Sequence, residues 1–240
     1  MLSEKGWRPE AVLSLIAGLF ASIFAGGLLI RVTFLIAGSL NDEQQKVVSL
    51  VIGTISVQGG AFLLLAWFLR QHQVTWSQAF GFRAPRPVRA LILSALTALV
   101  ALPIALGLGQ LSEIVMNFLH MQPVAQQAVQ TLQSESSLGL KLYLGLIAVF
   151  VAPVCEEMLF RGVIYPTVKQ SGFPRIALWG TSLLFALFHV NVMTFVPLLA
   201  LALALTWLYE TTDNLLASIL CHSLFNLANF FWLMWDQSNS

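Results

Sequence analysis

Residues 142–165 read LYLGLIAVFVAPVCEEMLFRGVIY. From Leu142 to Cys155 there is no charged residue, and then Glu156, Glu157 and Arg161 arrive inside the same apolar run. A helix crossing a bilayer needs about 20 mostly apolar residues, so this stretch is long enough to span one. Carboxylates inside such a span are costly by several kcal/mol and mark function more often than packing. The fold class and the search for a site both start from this segment.

The rest of the chain agrees with a lipid solvent. Of its 240 residues, 58% are hydrophobic and 10% are charged, with a mean hydropathy of +0.80. Soluble domains carry roughly 25% charged residues. The reading is an all-α, polytopic membrane helix bundle forming one integral domain over 1–240. Seven spans are expected, at about 11–30, 47–69, 88–108, 142–165, 175–191, 193–209 and 214–235. The fifth and sixth are short and parted by a tight turn near Asn191. The run from Ala11 to Ile30 exceeds the 7–15 residues of a signal-peptide core, so it reads as a retained first span.

Basic residues give the orientation. Lys5, Arg8, Arg70, Arg83, Arg86, Arg89, Arg161, Lys169 and Arg175 fall on one side of seven spans; Arg31, Lys46 and Lys141 fall on the other. The N-terminus is therefore expected in the cytoplasm and the C-terminus outside. The net charge of +1 and the scatter of the basic residues give no footprint for nucleic acid. The stretch 111–140 reads as the longest loop, with Leu111 to Leu119 amphipathic and a Gln-rich helical pattern after Pro123, lying at the outer interface. Cys155 and Cys221 sit in apolar runs, imply no disulfide framework and read as small interface residues.

Most acids lie in loops or at span ends. Glu156 and Glu157 are the exceptions, as are His189 and His222 among the four histidines. At about 1.5 Å per residue, Glu156 is about 13 Å from the cytoplasmic end of its span, His189 about 21 Å, His222 about 12 Å and Asn226 about 18 Å. Three spans thus bring polar groups to one layer. Ser218, His222 and Asn226 recur every four residues on one helix face. Glu157 and Arg161 are also four apart, in the order that suits an ion pair, while Glu156 is turned about 100° away. Adjacent carboxylates with unlike neighbours should titrate differently, leaving a free base beside a structural acid. No HExxH, GxSxG or GxSG occurs, and no Asp lies in a span. These absences remove the zincin, serine-hydrolase and membrane-aspartate arrangements.

Glu156-Glu157-Met158-Leu159-Phe160-Arg161 fits EExxxR, Phe185 to His189 fits FxxxH, and His222 to Asn226 fits HxxxN. In this order and on separate helices, over about 140–230, they resemble the CPBP intramembrane proteases. That family includes type II CAAX prenyl endopeptidases and bacterial proteins linked to bacteriocin processing and self-immunity. The segment Phe80-Gly81-Phe82-Arg83 resembles a further family feature. The resemblance implies that Glu156 is the base activating a water, that His189 holds that water, and that His222 and Asn226 donate to the oxyanion. Glu157 and Arg161 would be structural support. Glu156, His189 and His222 could also make a His₂Glu zinc set; a metal-free site, with no cofactor, is the favoured reading.

Each polar group also has a plainer role open to it. His189, or His222 with Asn226, could be interhelical glue, and Ser218 a packing residue. Gly26-Gly27 and Gly59-Gly60 read as close helix contacts, and Phe230 to Trp235 as an interfacial belt. The functional alternative to a peptidase is a non-catalytic membrane immunity or scaffold protein that binds a peptide or partner. A transporter is disfavoured because no inverted repeat is visible. The expected partners are membrane lipid and a peptide or membrane-protein tail, in a bacterial inner membrane.

Overall fold

A computed structural model of the protein describes residues 3–82 and 87–239. Among these there is helix, turn and coil but no strand, and the protein is an all-helical, polytopic membrane protein. Among the described residues six helices are long and apolar enough to cross a bilayer: Pro9–Ala37 (α1), Asp42–Gln71 (α2), Pro87–Phe118 (α4), Leu138–Gln170 (α6), Val192–Thr212 (α8) and the Leu215–Asp236 part of Leu215–Asn239 (α9). The shorter helices are Trp76–Phe80 (α3), Gln127–Ser134 (α5) and Pro174–Phe188 (α7). The fifth expected span is α7. Its 15 residues reach about 22 Å, short of a hydrocarbon core of about 30 Å.

The chain divides into two compact units, residues 6–79 and residues 1–5 with 80–240. In the first, α1 and α2 pack through two small-residue notches. A Cβ on Gly26 would lie 2.5 Å from the Cβ of Ser56, and one on Gly60 would lie 3.0 Å from the Cβ of Ser22. Ser22 Oγ also donates to the Ser56 carbonyl at 2.7 Å. That carbonyl belongs to a π-helical turn, Ile55–Gly59. The contacts are reciprocal, each helix offering a serine and a glycine four residues apart, so the backbones approach as membrane helices do without a hydrophobic drive. Gly26→Val is expected to cost about 1–3 kcal/mol by overpacking. The added Ser56→Gly change should recover much of it, read as the midpoint of thermal or detergent unfolding.

In the second unit α8 and α4 pack together with α9. Leu201, Leu205 and Leu208 of α8 bury against Ala98, Ala101 and Ala105 of α4 and against Ala217 and Cys221 of α9. Ser94 Oγ crosses from α4 to the Ala217 carbonyl at 2.9 Å, and Ser218 Oγ from α9 to the Leu205 carbonyl at 2.9 Å. Ser218 is therefore a buried interhelical tie. The α4 helix runs on through Leu111 to Phe118, so this part of the expected 111–140 loop is helix. Pro103 lies inside that helix without ending it. The Gln-rich pattern forms α5.

Phe80 and Gly81 tie the start of this unit to the motif helix. Phe80 is fully buried, and a Cβ on Gly162 would fall 2.5 Å from its ring. Gly81 has φ +69 and passes so near Asp213 that a Cβ would sit 2.2 Å from its carbonyl oxygen. Only glycine suits both demands. Arg83, the last residue of that expected motif, lies outside the described residues, as does Arg86 of the orientation argument.

Candidate active site

The long helix α6 is not uniform. Its central stretch, Ala152–Leu159, is α-helical and flanked by two π-helical turns, Ile147–Val151 and Phe160–Ile164. Such turns widen the helix by one residue and are frequent at functional sites. Glu156 and Glu157 lie between them, and Arg161 lies in the second.

The two carboxylates have different surroundings. The Glu157 side chain is fully buried, whereas that of Glu156 is 30% exposed. Glu157 Oε1 accepts from Arg161 Nη1 at 2.9 Å and faces His222 Nδ1 at 3.0 Å. Arg161 is also buried. Its Nη2 donates to the Ala202 carbonyl at 2.9 Å, its Nε reaches Thr206 Oγ1 at 3.4 Å, and its guanidinium lies 4.6 Å from the Phe185 ring centre. One cation thereby ties α6 to α7 and α8. The expected Glu157–Arg161 pair is present, and His222 is a third member that the sequence spacing did not reveal.

His222 stands between the two acids. Its Nδ1 meets Glu157, and its Nε2 is 3.9 Å from Glu156 Oε2. An ionised carboxylate accepts only, so the Nδ1 position carries hydrogen. This fixes the ring and aims Nε2 at the half-open side where Glu156 lies.

His189 is the C-cap of α7. The turn after it holds Val190 at φ +47, and Asn191 caps α8 by accepting from Thr194 N at 2.9 Å. This is the tight turn expected near Asn191. His189 Nδ1 faces the Phe185 carbonyl at 2.8 Å. A carbonyl accepts only, so in the neutral ring Nε2 is left as an acceptor. The Phe185 ring is 4.9 Å from the His189 ring and 5.7 Å from that of His222. The expected single layer is thus a tight Glu156–Glu157–His222 group, with His189 joined to it across one aromatic ring.

Asn226, expected to donate to the oxyanion, also has a partner within the protein. Its Nδ2 donates to the Ala148 carbonyl at 2.8 Å, which leaves one hydrogen of that amide for another acceptor.

Among the described residues, no three His, Cys, Asp or Glu side chains come together as a metal-holding group. Glu156, His189 and His222 are not gathered into a zinc ligand set as arranged. Cys155 and Cys221 are buried and are not joined in a disulfide.

Phe185, Thr206 and the Ala202 carbonyl were given no role by the sequence reading. Phe185 opens the FxxxH motif, but its place between two imidazoles needs the crossing of α7 and α9. A threonine in an apolar span was a visible sign for Thr206.

Comparison with known proteins bears on this same stretch. Residues 138–228 match the family described as Rce1-like, type II CAAX prenyl endopeptidase Rce1-like. UPF0177 protein YxdF of Lactococcus lactis subsp. lactis (strain IL1403) is 34% identical over 78 residues, which are 32% of this chain and 42% of that protein. The chain thus spans less than half the length of that curated relative. No solved structure matches. Helices α6 to α9, which carry Glu156, His189, His222 and Asn226, fall within or overlap the segment that resembles the Rce1-like family.

Proposed function

We propose that this protein is an intramembrane endopeptidase that hydrolyses a peptide bond with a water activated by Glu156. The observation that supports it best is the division of labour between adjacent carboxylates. Glu157 is buried and held by Arg161, while Glu156 is half-open and faces a histidine whose other nitrogen Glu157 fixes.

In this reading Glu156 takes a proton from water as it attacks the scissile carbonyl. His189 Nε2 accepts the water's other hydrogen. The oxyanion lies near His222 Nε2 and the free Nδ2 hydrogen of Asn226. Donation by His222 from both nitrogens requires a doubly protonated ring at that moment. The proton on Glu156 then passes to the leaving amine, and the carboxylate is restored. Oxyanion donors act strongly where water is scarce.

The substrate is a membrane-associated peptide or protein tail. The Rce1-like family suggests prenylated C-terminal peptides, and the likeness to a lactococcal protein suggests a bacterial plasma membrane; the basic residues of the flanking loops favour an N-terminus in the cytoplasm. The site works without metal.

The test is purified full-length protein in lipid nanodiscs, screened against matched prenylated and unprenylated peptides with and without a strong zinc chelator. Chelator-resistant cleavage is expected. Cleavage abolished by chelator and restored by zinc would overturn the metal-free mechanism, and no cleavage of any peptide would count against the peptidase.

A further inference from the structure

The bond from Asn226 to Ala148 has a cause in the backbone of α6. Ala148 lies in the π-helical turn Ile147–Val151. In an α-helix its carbonyl would accept from the amide of residue 152, and in a π-turn from that of residue 153. Neither donor is to be had. The Ala152 amide is committed to the Ile147 carbonyl, and residue 153 is proline, which has no N–H. The Ala148 carbonyl is thus left over by the sequence.

Its place makes that costly. Ala148 is on the exposed surface of a 33-residue span, about 15 Å from the span's first residue. The surface at that depth faces hydrocarbon, where an unpaired carbonyl costs several kcal/mol. Asn226 Nδ2 fills the gap at 2.8 Å from a helix 78 positions away. One turn along, the Phe230 ring packs where Gly145 has no side chain, and a Cβ on Gly145 would be 2.7 Å from that ring. The same face of α9 therefore seats on the same face of α6 at two successive turns.

We infer that Pro153 is a positioning residue: by leaving the Ala148 carbonyl without a backbone donor, it creates the acceptor that holds the Asn226 amide in place. A carbonyl can take only the nitrogen end of the amide, so the bond also fixes which way round Asn226 stands. The remaining Nδ2 hydrogen is thereby given a set direction. The catalytic consequence rests on the peptidase reading; the structural consequence does not.

The experiment is a double-mutant cycle between Pro153→Ala and Asn226→Ala in the full-length protein in nanodiscs. Pro153→Ala restores an amide that can close on Ala148, so it should keep or raise the melting temperature. In the Pro153 parent, Asn226→Ala orphans the carbonyl and should lower the melting temperature by several degrees. In the Pro153→Ala background that loss should largely vanish, because the carbonyl is already paired. For peptide cleavage, Pro153→Ala should lower kcat by about tenfold or more with KM within about twofold. A proline that only shapes the helix would not give a protein at once as stable and less active. Pro166→Ala, on the same span but beyond the second π-turn, serves as the control and should leave kcat unchanged.

An equal loss of melting temperature from Asn226→Ala in both backgrounds would overturn the inference. So would an unaltered kcat in Pro153→Ala. A wild-type protein that cuts nothing would sink the peptidase reading, while the temperature cycle would still decide the role of Pro153.

Discussion

Glu156→Gln is expected to lower peptide cleavage by about 10²- to 10⁴-fold, the usual contribution of a positioned acid or base, while the protein inserts and melts as before. The contrast with Glu157 makes this informative. Glu156 is partly exposed and has its nearest histidine nitrogen at 3.9 Å, so an isosteric amide removes a base and little else. Glu157 is fully enclosed and shares one oxygen between Arg161 and His222 at 2.9 and 3.0 Å, so Glu157→Gln should lower stability and activity together. The measurement is initial rate against substrate concentration, with melting temperature recorded on the same preparation. For Glu156→Gln the loss should fall on kcat, because the missing step is proton removal and not binding. A variant that still cleaves at near wild-type rate would exclude Glu156 as the base, whatever the fate of the rest of the site.

The spans were legible because hydrophobic length is a strong signal and because lipid forces every backbone group into internal pairs. All seven expected segments correspond to helices, with longer ends for most. The α7 helix is shorter than a full crossing, a point that apolar composition alone could not settle. The stretch from Leu111 to Leu119 was read as an amphipathic part of the loop, yet α4 runs on through it to Phe118. At the site, the four-residue spacing of Glu157 and Arg161 was enough to foresee their pairing, since i and i+4 share a helix face whatever the fold. The sharing of Glu157 with His222 was not foreseeable from spacing, because it depends on where α9 crosses α6. The π-turns that flank Ala152–Leu159 were hidden for a different reason. They leave no periodic mark in the sequence. Pro153 was visible throughout, but its meaning came only with the partner that answers it.

Arg161→Met should be among the most destabilising single changes in the chain, at about 3–5 kcal/mol, the range for breaking a buried ion pair by removing one partner. The size follows from what Arg161 holds. Its three nitrogens reach Glu157, the Ala202 carbonyl and Thr206, and its face lies on Phe185. Removing it leaves the Glu157 carboxylate enclosed with His222 as its hydrogen-bond neighbour, and it frees α6 from α7 and α8 at one stroke. Arg161→Lys should not rescue it fully. A lysine ends in one ammonium that cannot reproduce a planar fork directed at a carboxylate, a carbonyl and a hydroxyl together. The discriminating measurement is the pair Arg161→Met and Glu157→Gln/Arg161→Met, each unfolded in detergent titrations against the wild type. If the cost is chiefly an unpaired buried charge, neutralising Glu157 should return about 1–3 kcal/mol of what Arg161→Met removes, a coupling typical of residues in one network. If the double variant is instead less stable than Arg161→Met by the full cost of Glu157→Gln alone, the two act independently, and the Arg161 contribution lies in its ties to Ala202, Thr206 and Phe185. In either case the double variant should stay inactive, because an amide at position 157 no longer offers His222 the carboxylate that fixes its ring, and the nitrogen facing Glu156 loses its set direction.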